Sequence, residues 1–183
     1  MKTIALAAGI TTALILAATT ALAVSRPAPV PTIRSLCAPA EEVVFDCAQG
    51  AKIISLCATA DAKGPTHLRY VYGAKGKTEL EISDPAAFTS GITPLSGGGI
   101  DYVRVTNGDY SYVVYTGQTR GWSQDGWIVE HKGDQISHHV CKRDATGPDV
   151  WGPVYAAKLK PAPDAHDFSP PDWTGAAPAK HGH

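Results

Sequence analysis

Short runs of apolar and β-branched residues, separated by Gly, Pro, Asn or Asp, recur along the middle of the chain. They lie at 42–47, 52–58, 68–73, 78–82, 100–106, 109–116, 126–131 and 135–141. These runs are rich in Val, Ile and Tyr, whereas helical periodicity is confined to a turn or two near 154–159. The pattern predicts an all-β domain, built as a single antiparallel β-barrel or sandwich of about eight short strands.

Glycine-containing turns between the runs predict the hairpins. Asn107-Gly108 is typical of a type I′ turn, and a two-residue loop there pairs Thr106 with Asp109. That register puts Val105 and Tyr110 on the core-facing side. The opposite side is mixed and is predicted either to face solvent or to form a contact surface. Its members are Tyr102, Arg104, Ser111, Val113 and Tyr115. Further turns are predicted at 49–50 and 132–134.

The ends of the chain differ from this β-rich middle. Lys2, an apolar run at 4–18 and the sequence Ala21-Leu22-Ala23 predict a signal peptide at 1–23. We assign 24–34 as a Pro-rich leader, 35–160 as the β domain, and 161–183 as a disordered tail rich in Pro, Ala and His. No other run approaches the ~20 apolar residues of a membrane span. We therefore expect an exported monomer, periplasmic or secreted, without a membrane span.

Four cysteines follow the predicted cleavage site, where an oxidising compartment favours disulfides. Four cysteines allow three pairings. In the predicted hairpin Cys47 lies on the core face with Phe45, whereas Cys57 lies on the other face, close to where the chain from Cys37 arrives. The favoured pairing is therefore Cys37–Cys57 with Cys47–Cys141, and the other two stay open. The long gaps between the cysteines argue against a zinc–thiolate site.

The charge pattern and the histidines limit the possible ligands. The formal net charge is −1 and the basic residues are scattered, which argues against nucleic-acid binding. His138 and His139 are neighbours on a strand and point to opposite faces, so they cannot hold one metal ion together. The tail supplies His166, His181 and His183 as further candidates. We predict no metal site and no cofactor, and keep metal binding by the tail as an alternative.

Few residue combinations in the chain could support catalysis. Ser137 precedes His138, but strand neighbours point apart. Glu79 and Glu81 share a strand face, yet lie close to lysines and lack an aromatic sugar platform. Ser96 opens a glycine-rich segment without the Lys and helix of a phosphate loop, and without a G-x-S-x-G context. We therefore assign no catalytic residue.

Aromatic residues are concentrated between 102 and 127. The glycine-flanked loop 117–122 presents Arg120 and Trp122, and Arg, Trp and Tyr are enriched at binding hot spots. Such tryptophans either contact a partner or cap one end of the fold, and for Trp127 capping is slightly favoured. The predicted contact set consists of Tyr102, Arg104, Tyr115, Arg120 and Trp122.

From Cys37 to Lys160 the chain resembles a family of small exported bacterial proteins without an assigned function. The motifs that carry the resemblance are Glu42-x-x-Phe45-x-Cys47, Ser55-Leu56-Cys57-Ala58, Leu68-Arg69-Tyr70-x-Tyr72-Gly73, Ser96-Gly97-Gly98-Gly99, Asn107-Gly108-x-Tyr110-Ser111-Tyr112, and Cys141-Lys142 followed by Gly147-Pro148-Asp149. The resemblance implies export and a disulfide-bonded β fold, and it implies no particular activity.

In architecture the chain also resembles the membrane-bound lysozyme inhibitor of C-type family, which consists of small exported β-barrels with cysteines joining the first and last strands. That family's Ser-Gly-x-x-Tyr motif is not reproduced, because four residues separate Ser96-Gly97 from Tyr102. Its lysine-bearing second motif has no counterpart here. The resemblance is one of architecture, which by itself does not carry function.

Taken together, the residues predict an exported, non-catalytic β-domain that binds a protein or an envelope component. A sharper form of the same idea is an inhibitor of a cell-wall hydrolase. Two alternatives of other classes stay open: a hydrolase acting on envelope polymers, and a periplasmic protein that binds metal through its tail histidines.

Overall fold

The structure is a computed structural model and describes residues 35–60, 66–141 and 151–171. Within these ranges the chain folds into two β-sheets, as the sequence predicts. The predicted signal peptide and leader, and the tail beyond Pro171, lie outside the described residues. Among the described residues no helix is both long and apolar enough to cross a membrane.

The first sheet has four antiparallel strands in chain order. They are β1 (Glu42–Gln49), β2 (Lys52–Ala60), β3 (Thr66–Ala74) and β4 (Lys77–Ile82).

The second sheet has six strands in the order β10-β5-β6-β7-β8-β9. They are β5 (Phe88–Leu95), β6 (Gly98–Asn107), β7 (Tyr110–Thr119), β8 (Trp122–His131), β9 (Asp134–Val140) and β10 (Lys160–Pro161). β10 pairs in parallel with β5, and the other pairs are antiparallel. The described residues contain one α-helix, α1 (Gly152–Ala157), close to the predicted helical turn, and a short 3-10 helix at Pro85–Ala87.

The two sheets share one apolar core, so the fold is a sandwich in which the described strands do not close into a barrel. Aromatic contacts join the sheets: Tyr70 stacks on Tyr112 with ring centroids 5.2 Å apart, and Tyr72 lies 6.4 Å from Trp127. Val154 of α1 is buried against this core. Packing between two inner faces is the usual way in which antiparallel sheets bury their apolar sides.

β5 is a strand that the sequence did not predict. It contains Gly91 and Pro94, which weaken a strand pattern. Along its length β5 pairs with β6, but β10 covers its other side only at Thr89 and Ser90. Pro94 therefore lies at a sheet edge, where a residue without an N–H group is tolerated.

The predicted hairpin register is wrong by two residues. In the structure Asn107 pairs with Tyr110 and Thr106 with Ser111, so the turn residues are Gly108 and Asp109. Only Gly108 has a positive φ, +60°, which fits a type II′ turn and not the predicted type I′. Tyr110 is 42% exposed and does not join the core. The first hairpin is displaced in the same way, because Gln49 pairs with Lys52 around a turn that begins at Gly50.

Both predicted disulfides are present. Cys37 is bonded to Cys57, and Cys47 to Cys141. The prediction succeeded despite the register error because a shift of two residues keeps every side chain on its original face. The second bond joins the first strand of one sheet to the chain that follows the last antiparallel strand of the other.

The predicted boundary at residue 160 ends the domain too early. Residues 160–171, here called the C-terminal strap, pack on the outer face of the six-stranded sheet. Ala162 and Phe168 are buried, and the Ala162 N–H donates to the Ser90 carbonyl at 2.8 Å. A segment rich in Pro and Asp has no periodic pattern, so its sequence did not indicate that it covers a sheet.

The two disulfides should differ in their effect on stability because they close loops of different length. The bond between Cys47 and Cys141 spans 94 residues, and the bond between Cys37 and Cys57 spans 20. The chain-entropy model predicts a loss of about 4–5 kcal/mol for a variant with Ser at 47 and 141, and about 3 kcal/mol for Ser at 37 and 57. Urea unfolding of both variants measures this, and equal losses would contradict the loop-length argument.

Asp46 of β1 should make stability depend on pH. It is only 7% exposed, and burial raises its pKa from the ordinary 3.8 to about 6. The folded state therefore binds this proton more tightly than the unfolded state, so stability falls as the pH rises through about 4 to 6. We expect a loss of about 2–3 kcal/mol across that window.

Asp46→Asn should remove this part of the pH dependence and be more stable than wild type at pH 7. Urea unfolding at pH 4, 5, 6 and 7 compares the two proteins. An unchanged slope between pH 4 and 6 in the variant would show that the pH dependence arises elsewhere.

Candidate functional site

The outer face of the six-stranded sheet gathers the predicted contact residues around three glycines. Aromatic rings lie flat across these glycines, so that an added Cβ would fall 2.4 Å from the nearest atom of each aromatic side chain. The three pairs are Tyr102 on Gly91, Trp122 on Gly117 and Tyr115 on Gly126. Because any larger residue would displace a ring, the glycines determine how the aromatic side chains lie on this face.

Tyr102 and Tyr115 are nevertheless not available to a partner. Both are fully buried, because Phe168 of the C-terminal strap stacks on Tyr102 at 4.3 Å and lies 5.9 Å from Tyr115. The Thr93 hydroxyl donates to the Phe168 carbonyl at 2.8 Å and fixes the strap there. The expectation that these two tyrosines form an exposed contact surface is therefore corrected, since the chain covers them itself.

Arg104 is also occupied within the fold. Its guanidinium donates to Glu130 and, at 2.7 Å, to Asp164 of the strap, and only 13% of its side chain is exposed. Burial alone would lower the pKa of Arg104, but the two carboxylates more than offset burial and raise it. The Tyr102 hydroxyl donates to the same Asp164 at 2.7 Å. This cluster holds the strap to the sheet and leaves Arg104 no free donor fork for a partner.

Arg120 and Trp122 remain accessible, at the tip of the β7–β8 hairpin. Arg120 is exposed and forms no ion pair within the described residues, while its stem lies against Gly97 of the neighbouring β5–β6 turn. Trp122 is half-buried and packs on the outer-face cluster. These two adjoining turns therefore place a guanidinium and an indole at the same end of the six-stranded sheet.

Gln124 lies beside this tip and was not predicted. Its Oε1 is buried without a hydrogen-bond partner within the described residues. On β8 Gln124 pairs with Gly117, the glycine under the Trp122 ring. A buried acceptor without a donor is unusual, but in the sequence Gln124 resembles any polar residue of a half-buried strand.

The histidines of β9 form contacts with neighbouring side chains. His138 Nε2 lies 2.8 Å from the Tyr115 hydroxyl, and His139 stacks on Trp127 at 4.4 Å. Trp127, predicted to cap one end of the fold, is buried in the core between the sheets. Burial and the neighbouring His138 lower the pKa of His139, so its imidazole is neutral at pH 7.

Ser137 and His139 lie close enough for a hydroxyl–imidazole pair. The Ser137 Oγ is 2.8 Å from His139 Nε2, and the side-chain amide nitrogen of Gln49 contacts Nδ1. The same amide nitrogen lies 3.1 Å from Nε2, so the contacts of Gln49 fit either tautomer of the imidazole. Ser137 and His139 are therefore the residue types of a nucleophile and its base, without a contact that directs the lone pair of Nε2 at the Ser137 hydroxyl.

The acids weighed in the sequence are held by basic side chains. Glu79 forms an ion pair with Lys52, and Glu81 lies 3.2 Å from Arg69. Within the described ranges one group has metal-ligand spacing, formed by Cys37, Glu41 and Cys57. Its cysteines are bonded to each other and offer no thiolate to a metal. His181 and His183 lie outside the described residues.

Comparisons of this chain with family models, curated proteins and solved structures find no match. The resemblance drawn from the motifs therefore stays a prediction.

The strap should contribute strongly to stability through Phe168. Phe168→Ala removes the rings' contacts with Tyr102 and Tyr115 and leaves a cavity, so we expect a loss of about 3–5 kcal/mol. Tyr110→Ala, at an aromatic residue that is 42% exposed, should cost less than about 1 kcal/mol. Urea unfolding compares the two variants, and a small loss for Phe168→Ala would mean that the strap does not belong to the cooperative domain.

Proposed function

We propose that this protein is an exported, non-catalytic binding protein, and that the tip of the β7–β8 hairpin contacts a partner protein. The observation that carries the proposal is the exposed guanidinium of Arg120, which has no acidic partner within the described residues and is supported by Gly97 and flanked by Trp122. Arg and Trp dominate binding hot spots, and the contact of the Arg120 stem with Gly97 reduces the freedom that the side chain would lose on binding.

Two disulfides support export, because disulfides persist in oxidising compartments. The burial of Tyr102 and Tyr115, and the pairing of Arg104 with Glu130 and Asp164, narrow the predicted contact set to Arg120 and Trp122. An envelope component other than protein is the second possibility within the same function, and the binding experiment includes it.

An inhibitor of a cell-wall hydrolase is the form of this function that Arg120 favours. Enzymes that cleave glycans carry a pair of carboxyl groups in a cleft, and an unpaired guanidinium can bind a carboxylate through two parallel hydrogen bonds. The tip of a hairpin is narrow enough to enter such a cleft. A hydrolase acting on envelope polymers is the alternative of another class, and it requires two facing carboxyl groups that basic side chains do not already hold.

Arg120→Glu should abolish capture of the partner, because it reverses the charge at the contact without disturbing buried residues. Lys75→Glu is the matched control: Lys75 and Arg120 each precede a turn glycine with positive φ, in Lys75-Gly76 and Arg120-Gly121. Capture from envelope extract identifies the partner, and titration of the purified partner gives Kd. We expect a rise in Kd of at least tenfold for Arg120→Glu and less than twofold for Lys75→Glu.

Trp122→Ala should raise Kd as well, with circular dichroism confirming that the fold persists. Sedimentation with purified envelope glycan tests the second possibility. If Arg120→Glu and wild type bind the same partner or glycan with equal affinity, the hairpin tip is not the binding surface.

A further inference from the structure

A cavity of about 460 Å³ opens at the side of the sandwich where β3, the start of β5 and the end of α1 meet. Its apolar wall includes Leu68, Phe88 and Leu159. Leu68 and Phe88 also belong to the main core, so the apolar wall of the cavity is an edge of that core. Its size and apolar lining are those of a small-molecule site.

The rim of this cavity is positively charged. Lys158 and Lys160 line it, both are exposed, and neither forms an ion pair within the described residues. Pro85 and Ala86 also line the cavity, and Asp84 precedes them in the chain. Its carboxylate accepts a hydrogen bond at 3.0 Å from the Ala86 N–H. An apolar interior with cations at the mouth is complementary to an amphiphile with an anionic head.

Lys158 itself occupies a strained backbone position. Its φ is +51° at the end of α1, where the left-handed conformation favours glycine. A lysine there gives up conformational stability that a glycine would provide. Lys132 in the β8–β9 turn shares this conformation, so the two lysines can be compared directly.

We propose that this cavity binds a single-chain anionic amphiphile. The acyl chain would lie along Leu68, Phe88 and Leu159, and the carboxylate or phosphate head would bind Lys158 and Lys160. These residues are distinct from Arg120 and Trp122, so the proposal does not depend on the partner-binding function.

The probes are decanoate and decyl phosphate, with decanol and decyltrimethylammonium as controls, titrated below their micelle concentrations into the disulfide-bonded protein by calorimetry. We expect one site per chain for at least one anion, and at least tenfold weaker binding of decanol and of the cation. The anion that binds more tightly identifies the head group.

Lys158→Gly should raise Tm, because glycine adopts φ +51° without strain, and should weaken anion binding about three- to tenfold. Lys132→Gly is the matched control: Lys132 has φ +55° in the β8–β9 turn, so its variant should also gain Tm but keep its affinity. Lys160→Gln should weaken binding, and Ala157→Phe should block it by filling the cavity.

Three results would overturn the proposal. One is the absence of saturable binding for both anions. Another is equal affinity for decanol and for the tighter anion. The third is an equal loss of affinity in Lys132→Gly and Lys158→Gly, which would mean that the cavity lysine has no special role.

Discussion

The six-stranded sheet buries side chains on both faces, and most of the structure depends on how its outer face is covered. Its inner face packs on the four-stranded sheet, as in any sandwich. The outer face carries Tyr102 and Tyr115, which are large and fully buried. These rings can lie flat on the sheet because the residues beneath them are glycines. They are shielded from water because Phe168 packs over them. Glycine, aromatic ring and strap form three layers that depend on one another.

This arrangement separates two kinds of arginine that look alike in the sequence. Arg104 lies among tyrosines. Its guanidinium forms ion pairs with Glu130 and with Asp164, and the second of these holds the strap. Arg120 lies at a hairpin tip and keeps its guanidinium exposed. An exposed, unpaired arginine is available for recognition, whereas a buried one that is paired with two carboxylates is a structural crosslink.

Much of the fold followed from local patterns. Alternating residues placed the strands, and the facing of Cys47 and Cys57 gave the disulfides even though the hairpin pairs were displaced by two residues. β5 was missed because Pro94 and Gly91 obscure it, and its edge position, which makes Pro94 acceptable, depends on how far the distant strand β10 covers it. The strap was missed for the same reason. A sheet face that carries two tyrosines and an arginine can either face solvent or be covered by another segment of the chain. The long-range contact of Phe168 with Tyr102 decides between the two.

The pairing of the cysteines has a consequence for how the chain matures. In chain order the first cysteine joins the third and the second joins the fourth, so the two bonds interleave. If the cysteines were oxidised in chain order, Cys37 would join Cys47 first. That non-native bond would leave Cys57 and Cys141 to each other. From that intermediate the native pairs are reached only by thiol–disulfide exchange, whereas a chain that folds before it is oxidised forms them directly.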